Sequence, residues 1–454
     1  MSNNFDSTIY EYIPTNSILV IGQVQSGKTN YILREIENIY ETYENTCEGF
    51  TIIVFGGTTT DLLKQTKERF EKKGMNIFSD YEMYFQNYSI YKKNKVLLVI
   101  MKEGSNFEKI NNKLKYFNWN RRLFIFDDEA DYFSISGNDG LIHETLTNLK
   151  DITKKSDGCF YSITATPFKN IEFIRKNPEY YDKIIFLEPN KYYCGYEFFY
   201  NLKSDIYLCL EDNKQSKKIN KSILVSFFIF LYDTYLIEKE FPNEKSEFLI
   251  NIDSLTEKHD EIREELIKII FLSQNSWPKV LEQVIKENAW KQKFKNKEIF
   301  VETWKGMKRI VNTLDIQQNI VISNGRTKEN YISGSKKYIC IIGGTKLSRG
   351  FTYKYLTTEL IMNSGEKPQI DSLLQRARWF GYRRENKEYV ESFDRYKYIT
   401  VLCSENIYKV FTEEESKEFI VGFYNLQGKT QNEIIKYVEG KPELLNKLCL
   451  WKEK

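Results

Sequence analysis

An eight-residue string, GQVQSGKT at residues 22–29, limits what this chain can fold into more than any other feature. It completes the pattern G-x-x-x-x-G-K-T, directly after an apolar run (Ile18–Ile21) and directly before a helical pattern (Thr29–Tyr43). That context predicts a phosphate-binding loop joining a strand to a helix. Gly22 and Gly27 permit the tight turn; backbone N–H groups of the turn, those of Gln25 and Ser26 among them, face the phosphates, and the helix N-terminus adds partial positive charge. Lys28 is expected to reach the β- and γ-phosphates of ATP, and the Thr29 hydroxyl to ligate Mg2+.

A phosphate loop needs a parallel sheet behind it, and the first 200 residues carry the required alternation of apolar runs and amphipathic stretches. Expected strands are Ile18–Ile21, Thr51–Phe55, Val96–Ile100, Leu123–Phe126 and Phe160–Ile163. Expected helices include Thr29–Tyr43, Leu62–Lys72 and Asn106–Tyr116, the last with Ser105 as its N-cap. A polar stretch containing EDNKQSKK marks a linker, and strand patterns return at Phe248–Asn251, Ile320–Ser323, Ile339–Ile342, Leu360–Met362 and Tyr398–Leu402. The expected fold is therefore α/β, with two α/β domains, the first carrying the phosphate loop and the second a helical insertion. Their expected bounds are 1–205, a linker over 206–220, a second domain over 221–404 with the insertion at about 258–315, and a helical tail over 405–454.

Three further strings gain meaning from their order after the loop. LFIFDDEAD at 123–131 puts carboxylates at a strand's end, where they repel one another without a cation. Mg2+ with ATP supplies that charge: Asp128 is expected to hold it, with Asp127 a competitor for the role, and Glu129 to orient and deprotonate the attacking water. SITATP at 162–167 ends another strand; Thr164 and Thr166 are placed to hydrogen-bond the acidic residues, and Asp131 to couple the motifs. In the second half, GGTKLSRGFT at 343–352 follows a strand and DSLLQRARWFGYRR at 371–384 begins a helix. Clustered arginines there can reach the charge developing on a transferring phosphoryl group; the plainer reading is a basic helix packed by Trp379 and Phe380.

Composition adds exclusions. With 66 basic and 63 acidic residues the formal charge is +3, so nucleic acid must be held by local basic grooves and not by a cationic surface as a whole. Seven scattered cysteines without CxxC spacing read as free thiols of a reducing cytoplasm. Ile223–Leu236 contains Ser226 and Asp233 and falls short of a membrane span, so a buried helix and no membrane partner are expected.

The run of motifs resembles superfamily 2 helicases and, more narrowly, the Z-one domain family. GQVQSGKT is similar to its phosphate loop, FGGTTTDLLKQTKERF at 55–70 to its next loop-and-helix motif, FDDEAD to its magnesium motif and YSITATPFKN to its coupling motif. GGTKLSRGFT and DSLLQRARWFGYR are similar to the fifth and sixth helicase motifs. The resemblance implies ATP between two RecA-like domains, with nucleic acid crossing both on the face bordered by the loops of 55–66 and 345–352, where Gly57, Thr58, Thr66 and Thr345 lie. Carried over, Lys28, Thr29, Asp128 and Glu129 form the hydrolytic set, Arg349 comes from the fifth motif, and Gln375, Arg378 and Arg383 from the sixth. The usual spacing Q-x-x-G-R-x-x-R is here Q-R-A-R-W-F-G-Y-R, which leaves the γ-phosphate arginine open among Arg376, Arg378 and Arg383.

Members of that family are sometimes labelled endonucleases and look like parts of restriction-like or antiviral defence systems. This chain has only His143 and His259, and its Glu-x-Lys strings at 385–387, 415–417 and 439–441 sit in polar contexts, so intrinsic cleavage is not favoured. The expected function is an ATP-hydrolysing motor on nucleic acid, DNA more than RNA, beside a possible partner nuclease. The alternative is an ATP-gated assembly module that recruits a separate nuclease without unwinding.

Overall fold

The runs SILVIG, FTIIVF, VLLVI, RLFIFDD and CFYSIT are apolar at most positions, as strands covered on both faces must be. In the computed structural model they form β1 (Ser17–Gly22), β2 (Phe50–Phe55), β3 (Val96–Ile100), β4 (Arg122–Asp128) and β5 (Cys159–Thr164), joined by β6 (Lys183–Leu187). The structure describes residues 16–45, 49–57, 60–87, 91, 94–102, 104–115, 121–131, 140–210, 220–252, 256–295, 298–323, 334–344, 353–362, 370–383 and 394–441. Two compact units emerge. One comprises the chain up to Ile21, Lys28–Phe186 and Gly428–Ile435; the other comprises Gly22–Gly27, Leu187–Gln427 and the chain from Lys436 onward.

In the first unit the strands lie in the order β3-β2-β4-β5-β1-β6. β5 pairs in parallel with β1 on one side and β4 on the other, setting Ile21 beside Thr164 and Ile163 beside Asp128. The carboxyl ends of β1, β5 and β4 are thus brought to one edge, the edge at which open α/β sheets bind ligands. Helix Lys28–Thr42 buries Ile32, Leu33, Ile36 and Ile39 along one stripe, while Phe55, Leu98, Ile125 and Phe160 form part of the core. The start of β1 is pinned by Asp182, whose carboxylate accepts from the backbone N–H groups of Asn16 (2.8 Å) and Ser17 (2.9 Å). The helix expected to begin after Ser105 instead runs over Gly104–Lys115, so Ser105 lies inside its first turn and is not its cap.

The second unit contains β7 (Tyr193–Cys194), β8 (Tyr207–Leu210), β9 (Ser246–Asn251), β10 (Ile320–Ser323), β11 (Tyr338–Gly343), β12 (Leu356–Ile361), β13 (Gly381–Tyr382) and β14 (Thr400–Ser404). Six of these form a wholly parallel sheet in the order β10-β11-β9-β12-β14-β8. β8 occupies a stretch whose sequence reads as the beginning of a linker; Tyr207 and Leu208 are buried, and pairing with β14 satisfies its backbone. Helix Lys221–Glu240 is buried on almost every face, which is why it shows no amphipathic period. Among the described residues, five helices, from Thr256–Asn275 to Ile316–Asn319, separate β9 from β10, and several of their apolar residues share a core with Phe248 and Ile250. β7 and β13 make a small antiparallel ribbon. Each unit is an α/β domain, its parallel sheet flanked by helices. Among the described residues no helix is long and apolar enough to cross a membrane.

Candidate nucleotide site

The loop after β1 owes its shape to two left-handed residues. Gly27 has φ +103° and Gln25 φ +58°; the first value is natural for glycine, the second uncommon for any other residue. Between them the Ser26 N–H donates to the Gln23 carbonyl at 3.1 Å and closes the turn. Left-handed residues within such a turn point successive N–H groups into one concavity, an arrangement suited to anions. Lys28 follows at once as the first residue of its helix.

At the end of β4 the acidic residues divide by environment. Asp127 is buried and forms an ion pair with Lys102 Nζ at 2.6 Å, both side chains being wholly inaccessible. The same ammonium donates to the carbonyls of Asp128 and Glu129, each at 2.9 Å. Asp127 is therefore engaged inside the sheet, Asp128 ends the strand, and Glu129 begins the turn beyond it. Glu129 has φ +53° and donates its N–H to Asp128 Oδ1 at 3.0 Å. Such a conformation in a non-glycine residue is a local strain that functional sites commonly hold. Burial, and then the neighbouring Glu129 charge, push the Asp128 carboxyl up to about 6, against the opposing pull of Lys28 and Lys102. Arg69 Nη1 donates to Thr29 Oγ1 at 3.3 Å; burial lowers its pKa and the Asp128 charge raises it. Thr29, Lys28, Arg69 and Asp128 thus form one electrostatic neighbourhood within the first unit.

Two carboxylate oxygens of buried Asp131 accept from Thr164 Oγ1 (2.9 Å) and Thr166 Oγ1 (3.1 Å). The Thr166 N–H in turn donates to Thr164 Oγ1 at 3.1 Å. A second tie, from the Ala130 N–H to the Ile163 carbonyl at 2.9 Å, fixes the acidic turn to the end of β5. Gly57, with φ +77°, offers its carbonyl to the Lys102 N–H at 2.9 Å. A Cβ on neighbouring Gly56 would meet the Thr66 methyl at 3.2 Å, so Thr66 packs closely over the loop that follows β2. Lys102 therefore touches both the acidic turn and that loop. Neither Lys102 nor Arg69 stands out in the sequence as a site residue, although Arg69 lies inside the quoted 55–70 string.

In the second unit Gln375 and Arg378 are buried and Arg376 is half-buried. Buried Arg383 donates to the carbonyls of Arg378 (2.7 Å), Tyr353 (2.8 Å), Lys354 (3.1 Å) and Trp379 (3.2 Å); burial lowers its pKa to about 10. Glu359 of β12 is wholly buried close to Arg378, and burial pushes its carboxyl up to about 8 despite that guanidinium and the Asn251 amide. The indole of Trp379 donates to the Tyr207 hydroxyl at 3.1 Å.

The segment Gly22–Gly27, which belongs to this unit, is gripped by the ribbon of β7 and β13. Tyr193 donates its hydroxyl to the Val24 carbonyl at 2.6 Å, Tyr382 donates to the Ser26 carbonyl at 2.8 Å, and Gln25 Nε2 donates to the Arg378 carbonyl at 3.3 Å. Thr58, Thr345 and Arg349 lie outside the described residues.

Among the described residues no group of three or more His, Cys, Asp or Glu side chains is arranged to hold a metal ion. The Thr29 hydroxyl and the Asp128 carboxylate are hard oxygen donors, and so small a set suits magnesium, which takes few protein ligands beside phosphate and water.

Comparison with curated protein sequences gives no match. Residues 223–445 match the family model of the Z1 domain. Among solved structures, the chain is similar to the DEAD-box helicase Mss116 bound to ssRNA and UDP-BeF, with a TM-score of 0.48 and 12% identity over 96% of this chain and 79% of that one.

Proposed function

We propose that this chain is a helicase-like ATPase that uses Mg2+ and ATP to translocate on or remodel nucleic acid, DNA more than RNA, within a restriction-like or antiviral defence system. The observation that supports the reading lies within the first unit: Lys28 and Thr29 at the start of their helix share one electrostatic neighbourhood with Arg69 and Asp128, beside the Glu129 turn and the Asp131–Thr164–Thr166 triad.

In this reading Gly22, Gln25, Ser26, Gly27 and Lys28 bind the phosphates, and Thr29 and Asp128 hold the magnesium. That ion offsets triphosphate charge when bound. Glu129, displaced from the sheet by its left-handed backbone, orients a water and takes its proton. Gln375, Arg349, Arg378 and Arg383 belong to the second unit's contribution, and Asp131 with its two threonines transmits the state of the loop. Gly57, Thr58, Thr66 and Thr345 face the nucleic acid.

ATP turnover with and without single- and double-stranded DNA and RNA tests the proposal. Turnover should rise with a polynucleotide, and Lys28→Ala should abolish it; indifference to every polynucleotide would remove the motor. The near-neutral charge of +3 favours a second reading, an ATP-gated module that recruits a separate nuclease. Retention of a partner on the protein only when ATP is present, without movement along DNA, would select it.

A further inference from the structure

The second unit contains a cavity of about 320 Å³ to which Gln23, the second residue of the phosphate loop, contributes a wall. Resting on the nucleotide-binding reading above, we propose that this cavity receives the purine base of the nucleotide whose phosphates the 22–29 loop takes.

Three observations lead there. The first is continuity with the loop. Tyr193 lines the cavity and donates its hydroxyl to the Val24 carbonyl at 2.6 Å, so one side chain belongs to both the cavity and the loop. Gly195 also lines it, and a Cβ there would stand 2.5 Å from Gln23 Oε1 and 2.5 Å from the Tyr193 ring, so the bare glycine lets the loop and ring close on the cavity.

The second is the character of the walls. Tyr193, Tyr196, Phe198 and Tyr424 bring rings to the cavity, and Tyr193 and Tyr196 are buried. A flat heteroaromatic ring gains stacking and apolar burial against such walls. The rim adds Glu197, Asn201 and Asn425, all exposed. A carboxylate accepts from exocyclic amino or ring N–H groups, and amides both donate and accept. A few polar groups around an aromatic lining is the composition of small-molecule sites.

The third is size. The cavity's volume of about 320 Å³ falls at the lower end of the roughly 300–1,000 Å³ common for small-molecule sites. Adenine and guanine share the chemistry that these walls recognise, and separate ligands distinguish them.

Binding of ATP, GTP, CTP and inorganic tripolyphosphate to the full chain, each with Mg2+, tests the assignment by calorimetry. Wild type should bind one purine triphosphate more tightly than CTP and tripolyphosphate. Val421→Trp, which fills the cavity from helix Glu414–Tyr424, and Tyr424→Ala, which removes one ring, should each weaken that purine nucleotide about 10- to 100-fold while leaving tripolyphosphate unchanged. Equal affinity of wild type for tripolyphosphate and the purine nucleotides, or unchanged purine binding in both variants, overturns the proposal. Parallel loss of tripolyphosphate in both variants also overturns it, since the cavity would then serve only to support the loop. Lys28→Ala reports separately on the loop: if it leaves tripolyphosphate binding intact, the phosphate-binding reading itself fails.

Discussion

Lys102 and Asp127 meet at 2.6 Å with no access to solvent, and the same ammonium spans the carbonyls of Asp128 and Glu129. A buried charge stripped of its partner costs about 3–5 kcal/mol. Lys102→Met is therefore expected to lower the denaturation midpoint strongly and to reduce ATP turnover by loosening the turn that carries Glu129. The double change Lys102→Met with Asp127→Leu should recover much of the stability but not the turnover, because the carbonyl contacts stay lost. Urea denaturation and turnover of both proteins decide the matter; restored turnover in the double variant would refute the positioning role.

The two hydroxyls on Asp131 lead to a different expectation. Thr166→Val keeps the shape of the side chain and deletes the 3.1 Å donation to the carboxylate, a loss of about 1 kcal/mol in a typical case. The ratio of nucleic-acid-stimulated to unstimulated turnover should fall in the variant. A ratio equal to that of wild type would show that the triad only closes the sheet edge.

Arg376, Arg378 and Arg383 lie within eight residues, and their surroundings separate them. Arg383 spends its guanidinium on four backbone carbonyls, so Arg383→Ala should cost at least about 3 kcal/mol of stability. Arg376 is half-buried. If it is the arginine that meets the γ-phosphate, Arg376→Ala should cut turnover by about 10³ with little change in the denaturation midpoint. Measuring both quantities on both variants separates support from chemistry; a reversed pattern would assign them the other way.

Glu359 predicts a pH dependence. Its carboxyl is held at about 8 in the folded chain against an ordinary 4.5, so between these values the folded state binds more protons than the unfolded one. Its contribution to stability is present at low pH and declines as pH rises from about 4.5 to about 8, with a slope of at most about 1.4 kcal/mol per pH unit. Glu359→Gln, still beside Arg378, Arg383 and Asn251, should flatten the decline. Denaturation midpoints at pH 5, 6, 7 and 8 provide the check, and an unaltered slope would rule Glu359 out as its source.

Much of the sheet architecture is legible in the sequence because strands covered on both faces are written as apolar runs, and Ile18–Ile21, Thr51–Phe55 and Val96–Ile100 lie within or coincide with observed strands. Less visible are β6 and β8: the former is mostly half-buried and carries Lys183, and the latter adjoins a polar stretch. The loop, the acidic turn and the threonine pair are contiguous strings with chemical meaning. Lys102 is not, since nothing in MKEG points to a carboxylate 25 residues away; only the sheet order unites them. Tyr193 and Tyr382 are hidden for the same reason, because they reach the loop through a two-residue ribbon that no periodicity announces.

The parallel order of the first sheet also sets a timetable for maturation. β1 pairs with β5, and the residues at its start are fastened by Asp182, 165 positions beyond Ser17. Contacts so distant along the chain demand costly loop closure and form late. A nascent polypeptide that has completed GQVQSGKT still lacks the strand beside it, and a fragment ending before β5 would possess the string without the pairing that holds β1 in place.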